Sequence, residues 1–154
     1  MKKILLPCIL LLVASTSFAQ KQNDTTAIRR LLEKESATWR SGDVAGHADC
    51  WEIRPYSRIL VSTPEGKCYD VPPAEMIHPS GGDADRGGSS VNSNYRFSVH
   101  GNDAWVSHDE RSTAKNGSIT YSHEIRILEK IKGRWKLVAQ SIHIYVPEPT
   151  TADN

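Results

Sequence analysis

Tyr95-Arg96-Phe97-Ser98-Val99-His100, the turn Gly101-Asn102-Asp103, and then Ala104-Trp105-Val106-Ser107-His108-Asp109-Glu110-Arg111 form two runs of alternating apolar and polar residues around a short reversal. The pattern continues: Ser118 to Lys130 follows the turn Ala114-Lys115-Asn116-Gly117, and Arg134 to Val146 follows Lys132-Gly133. Period-two alternation marks strands that turn one face to a core, and turns this short join neighbouring strands antiparallel. The C-terminal half is thus predicted to be a four-stranded meander, longest in its last two strands and ended by Pro147-Glu148-Pro149.

Upstream, Ser57-Arg58-Ile59-Leu60-Val61-Ser62 reverses at Pro64-Glu65-Gly66-Lys67 into Cys68-Tyr69-Asp70-Val71, which predicts a β-hairpin. Pro72-Pro73 sets up one helical turn through Ala74-Glu75-Met76-Ile77, closed by Pro79. Ser80 to Asn94 holds four glycines and almost nothing apolar, and reads as a long mobile loop. Nearer the N-terminus, Ile28, Leu31, Leu32, Glu35 and Trp39 recur at helical spacing behind the N-cap candidates Asp24 and Thr25. That helix should end near Gly42, and Asp43 can cap a second, carrying Val44, Ala48 and Trp51 on one face.

The chain opens with Lys2-Lys3, an apolar run from Ile4 to Ala14, and the small residues Ser17 and Ala19. This order predicts a signal peptide over 1–19, cleaved after Ala19; the run is too short for a membrane span, which needs roughly 20 residues. The expected organisation is a signal peptide (1–19), one domain (20–146) and a flexible tail (147–154), exported to the periplasm or secreted and free of membrane. Of 154 residues, 19 are basic and 18 acidic; without Lys2 and Lys3, 17 basic residues remain against 18 acidic, a formal charge of −1. Nothing in that balance favours nucleic acid. Cys8 leaves with the signal peptide, and Cys50 and Cys68 are either a disulfide or two half-buried thiols.

Helical hairpin, β-hairpin, short helix, loop and four-stranded meander, in that order, resemble the nuclear transport factor 2-like cone fold with its SnoaL-like and related small bacterial domains. The resemblance rests on Ala37-Thr38-Trp39-Arg40-Ser41-Gly42-Asp43, on Gly101-Asn102-Asp103-Ala104-Trp105-Val106, and on Arg126-Ile127-Leu128-Glu129-Lys130 with Gly133-Arg134-Trp135-Lys136-Leu137-Val138. It implies an α+β fold in which N-terminal helices pack on a strongly curved antiparallel sheet that encloses a pocket. It also implies a homodimer through the outer sheet face. Some members are isomerases, cyclases or dehydratases with a carboxylate or histidine as proton carrier, but no catalytic set of theirs matches this chain residue by residue.

Alternation places Ala104, Val106, His108 and Glu110 on one strand face, with Tyr121, His123, Ile125 and Ile127 sharing a face of the next strand and Trp135, Leu137, Ala139, Ser141 and His143 a face of the last. If these faces meet, His108, Glu110, His123 and His143 converge as acid-base candidates. They equally fit an exposed face or a polar pocket that reacts with nothing. Glu124, Arg126 and Glu129 read as solvated or interfacial ion pairs. Trp51 and Tyr56, with Tyr121 and Ser141, are the candidate ligand-binding residues, although each large aromatic also fits a core role.

Asp83-Ala84-Asp85 suggests calcium, but an EF-hand register from Asp83 puts Asn94 where the bidentate glutamate belongs. No metal or cofactor motif is present elsewhere in the sequence, and none is expected. Three functions stay open: an exported domain binding a small, partly apolar molecule; a cofactor-free isomerase, cyclase or dehydratase; and a dimeric interaction domain whose pocket Trp51 and Trp135 would fill.

Overall fold

The computed structural model describes residues 6–80 and 87–148. In chain order it contains α1 (Leu6–Ser41), α2 (Val44–Ala48), β1 (Ile59–Ser62), β2 (Cys68–Val71), a 3₁₀ turn (Pro73–Met76), β3 (Gly88–His100), β4 (Asp103–Ala114), β5 (Ile119–Ile131) and β6 (Arg134–Tyr145). The strands form one six-stranded sheet in the order β2-β1-β6-β5-β4-β3. The expected hairpin and meander are both present. The sheet is antiparallel at every junction but one, where β1 runs parallel to β6. The cause is topological, because the chain leaves the β1–β2 hairpin for the far edge and returns through the meander beside β1, running the same way.

Helix α1 is longer than its apolar stripe suggests and passes straight through Asp24 and Thr25, which are not N-caps. Asp24 instead accepts hydrogen bonds from Lys130 Nζ and, at 3.0 Å, from Trp135 Nε1, fastening α1 to β5 and β6. Of the expected signal peptide, 1–5 lie outside the described residues and 6–19 belong to α1. Among the described residues no helix is long and apolar enough to cross a membrane. Gly42 ends α1 at φ +75°, and the Asp43 carboxylate caps α2 by accepting from Gly46 N at 2.8 Å. Behind that cap His47, Cys50 and Trp51 are buried, not the expected Val44 and Ala48.

Ile28, Leu32, Trp51, Ile59, Val106, Leu128 and Leu137 form the core between the helices and the inner sheet face. Trp135 is also buried, but Trp105 is 48% exposed on the outer face and Tyr56 63% exposed. Cys50 is buried and Cys68 exposed, and both thiols are free.

The segment expected to be a loop from Ser80 to Asn94 is in large part strand. Gly88 to Ser93 pairs with Ala114 to Asp109, and a bulge at Asn94 (φ 54°) precedes Tyr95. The stretch is poor in apolar residues because its inward side chains, Ser90 and Asn92, hydrogen-bond to polar groups instead of packing on a core. Asp83-Ala84-Asp85 lies outside the described residues.

Leu128 and Ile127 are chain neighbours on opposite faces, 0% and 46% exposed. Leu128→Ala should cost about 2–5 kcal/mol in urea unfolding, and Ile127→Ala less than about 1 kcal/mol at a concentration that holds the single chain. Equal losses would mean that the faces of β5 are assigned wrongly.

Candidate functional site

A cavity of about 340 Å³ lies between the C-terminal half of α1, the 3₁₀ turn and the inner sheet face. Its apolar wall comes from Ile59 and Val61 on β1, Val71 on β2, and Ile142 and Ile144 on β6. Trp39 and Met76 complete that side, and the Trp39 ring lies 4.9 Å from that of His47. The lining also includes a group of buried ionisable side chains.

At its centre is Arg126 on β5, 3% exposed. Its guanidinium donates to Glu124 Oε2, to Gln140 Oε1 and, at 3.4 Å, to Glu35 Oε1. Burial works to lower the pKa of Arg126, but the carboxylates of Glu124, Glu35 and Glu110 outweigh it and hold the group firmly charged. Burial likewise works to raise the pKa of Glu35, and the Arg126 charge with the His47 hydrogen bond more than reverses it, so Glu35 is held below the usual carboxylate range. Glu124 goes the other way. Burial pushes it up against the opposing charge of Arg126, and repulsion from Glu110 and Glu35 adds to the rise. His47 is clamped between Met76 O (Nδ1, 2.7 Å) and Glu35 Oε1 (Nε2, 3.0 Å). Both partners are acceptors, so both contacts are hydrogen bonds when each ring nitrogen carries hydrogen.

A second carboxylate site adjoins this group. Glu110 on β4 accepts from Ser36 Oγ at 2.9 Å, from Ser90 Oγ at 3.2 Å and from Ser112 Oγ. The nearest guanidinium, that of Arg40, stays 3.8 Å away and donates to Ser112 Oγ at 2.6 Å and Ser90 Oγ at 3.3 Å. Among the described residues no group of three or more His, Cys, Asp or Glu is placed to hold a metal ion.

No family model and no curated protein matches the chain. Solved structures do. An NTF2-like protein with a cystatin-like fold from Novosphingobium aromaticivorans aligns at TM-score 0.63 and 13% identity, over 86% of this chain and 89% of its own. An NTF2-like protein from Cytophaga hutchinsonii aligns at 0.61 and 17%, over 80% and 98%. A putative Ca/calmodulin-dependent kinase II association domain from Exiguobacterium sibiricum aligns at 0.61 and 13%, over 81% and 95%. The chain has the nuclear transport factor 2-like fold.

Within this nuclear transport factor 2-like cone, the expected convergence of three histidines on Glu110 does not occur. His108 and Glu110 face inward, but His123 and His143 stand on the outer face, where His123 Nδ1 meets Asp109 Oδ1 at 2.7 Å and His143 bonds Ser62 and Ser141. Two register effects explain this. The β4–β5 turn pairs Val106 with Arg126 and His108 with Glu124, so inward β4 residues bring Glu124 and Arg126 inward, not His123. On β6 the partners step from Leu128–Leu137 to Ile127–Ala139, leaving Val138 as a bulge that flips every later residue. Gln140, Ile142 and Ile144 therefore line the cavity, and Ser141 and His143 do not.

Tyr121 lies on the outer face against Tyr145, ring centroids 6.1 Å apart. Tyr56 is bonded to Glu129 outside the cavity, and Trp51 is core. The residues that sequence reasoning left out of the site are Glu35, His47, Glu124, Arg126 and Gln140. Two signals were available: a glutamate within the apolar stripe of α1, and the register imposed by the short β4–β5 turn.

His108 is 2% exposed against Tyr95, its Nε2 without a hydrogen bond and 3.7 Å from Glu124 Oε2. Burial, helped by the Arg126 charge, pushes its pKa down to about 4 from 6.5. The unfolded chain then binds more protons than the folded one between those values, so stability falls as pH drops from about 6.5 to 4. The loss should reach up to about 3 kcal/mol. Thermal unfolding of His108→Gln should show a shallower decline over the same range; parallel curves would remove His108 as its source.

Proposed function

We propose that the chain is an exported domain that binds a small, partly apolar molecule in the cavity between α1 and the curved sheet. The observation that carries this is the cavity's two-sided lining, aliphatic on β1, β2 and β6 and ionisable on α1, β4 and β5. Its volume of about 340 Å³ falls in the range of small-molecule sites, roughly 300–1,000 Å³. Trp51 and Trp135 pack in the core and leave the cavity open, which counts against a vestigial pocket.

A cofactor-free isomerase, cyclase or dehydratase is the second reading. Glu124 favours it, as a buried carboxyl raised in pKa at the cavity floor; with Glu110 it would replace the histidines as the acid-base pair.

The proposal includes pairing of two copies through the outer sheet face. Trp105, Ile125 and Ile127 are 48%, 42% and 46% exposed there, and one similar fold is described as an association domain.

Ile142→Trp should fill the cavity and weaken binding of the neutral probe N-phenyl-1-naphthylamine by at least about 10-fold, with the circular dichroism spectrum unchanged. Undiminished binding would place the probe elsewhere and sink the pocket reading.

Expressed in full in a bacterium, the protein should be recovered from the periplasm beginning at Gln20 and elute as a dimer that Ile125→Glu converts to monomer. A retained Met1 would refute export, and a monomeric parent protein would refute pairing.

A further inference from the structure

We infer that the groove between the middle of α1 and the β5–β6 hairpin is a second binding site, for a compact anion carrying two or more negative charges. It lies apart from the cavity and shares no lining residue with it.

The groove measures about 460 Å³. Five side-chain cations line it, Arg30 and Lys34 from α1 and Lys130, Arg134 and Lys136 from the hairpin, against two carboxylates, Asp24 and Asp49. The whole chain has 19 basic and 18 acidic residues, so an excess of three positive charges in one groove is a local concentration of charge and does not follow from composition.

Both carboxylates are already engaged. Asp24 is buried, with Oδ1 turned to Lys130 Nζ and Trp135 Nε1. Asp49 is shared by three cations, Lys34 at 2.7 Å, Lys136 at 3.0 Å and Arg134 at 3.8 Å. Hydrogen bonds from Lys34 and Lys136 hold its pKa down to about 2, although its side chain is half exposed. Among the described residues Arg30 makes no ion pair. Lys34 and Arg134 are 45% and 72% exposed, so an incoming ion can reach their charged ends.

Local rules make this arrangement costly. Arg30 and Lys34 stand four residues apart on α1, where like charges meet on one helix face. Arg134 and Lys136 stand two apart on β6 and share a face of that strand. One like-charged pair thus faces another across the groove, with a single half-exposed carboxylate between them. Stability alone would favour alternating signs.

The cation types narrow the ligand. Arg30 and Arg134 offer forked donors from opposite sides, matching the paired oxygens of phosphate or carboxylate groups, and the lysines add point charges. A ligand with one charge would only repeat what Asp49 does, whereas two or more charges close together match the excess of three. The groove is concave and of small-molecule size, which suits a discrete anion and not a flat membrane surface.

The test is isothermal titration calorimetry of the whole chain at pH 7 and low ionic strength, with pyrophosphate and acetate as probes. Pyrophosphate should bind at least about 10-fold tighter than acetate, and salt at about 1 M, where charges are screened beyond about 3 Å, should remove most of that difference. Arg30→Gln combined with Arg134→Gln changes two exposed side chains, and should weaken pyrophosphate at least about 10-fold with N-phenyl-1-naphthylamine binding unchanged. Asp49→Asn removes the carboxylate that competes for the same cations and should tighten pyrophosphate binding. Equal affinity for pyrophosphate and acetate, or an affinity that survives the double substitution, would overturn the inference whatever the cavity binds. So would an Asp49→Asn protein with an unchanged circular dichroism spectrum and no gain in pyrophosphate affinity.

Discussion

The Arg126 guanidinium, buried between Glu35 on α1, Glu124 on its own strand and Gln140 on β6, is the interaction on which the interior depends. It joins the helix to the sheet through charge, where a small domain would ordinarily use apolar contact. Buried ion pairs are a poor source of net stability, because the cost of desolvating both partners roughly cancels their attraction, and apolar side chains of similar volume often hold a fold at least as well. The core of Ile28, Leu32, Leu128 and Leu137 already supplies that apolar contact a short distance along the same helix. Charge at the other end coincides with a cavity between α1 and the sheet.

The same constraint orders the rest of the cone. With Arg126 facing inward, Glu124 and Ser122 must face inward as well, and Ile125 and Ile127 are driven to the outer surface. The usual arrangement is inverted along this strand: charge lies within, and branched aliphatic side chains meet solvent. An apolar outer face and a polar inner face are two consequences of a single register, so the cavity and the proposed pairing surface share one cause. The polar β3 segment from Gly88 to Ser93 fits the same logic, since its inward serine and asparagine complete the hydroxyl cradle of Glu110.

Much of the architecture was legible in the chain because it rests on local rules. Alternation marked the four meander strands, Gly42 and Asp43 marked the break between the helices, and Lys132-Gly133, both at positive φ, closed the last hairpin. The inward set of β4, Ala104 to Glu110, also follows from local alternation. The site was less legible, because its members come from strands whose inward parity is not a local property. His123 and Arg126 belong to opposite parities of one alternating run, and nothing within that run says which points inward.

What the sequence by itself determined is the order of elements, the turns between them and the fold class, since each follows from propensities and spacings within a few residues. Only the tertiary structure decided which charges are buried together. The β4–β5 register placed Glu124 and Arg126 on the inner face, and the single extra residue at Val138 turned Gln140 inward and His143 out. A bulge one residue long reverses the facing of everything beyond it, and it lies where β6 passes from its bridge with Trp51 to its pairing with β1. That packing is a contact between distant parts of the chain, which alternation along one strand does not encode.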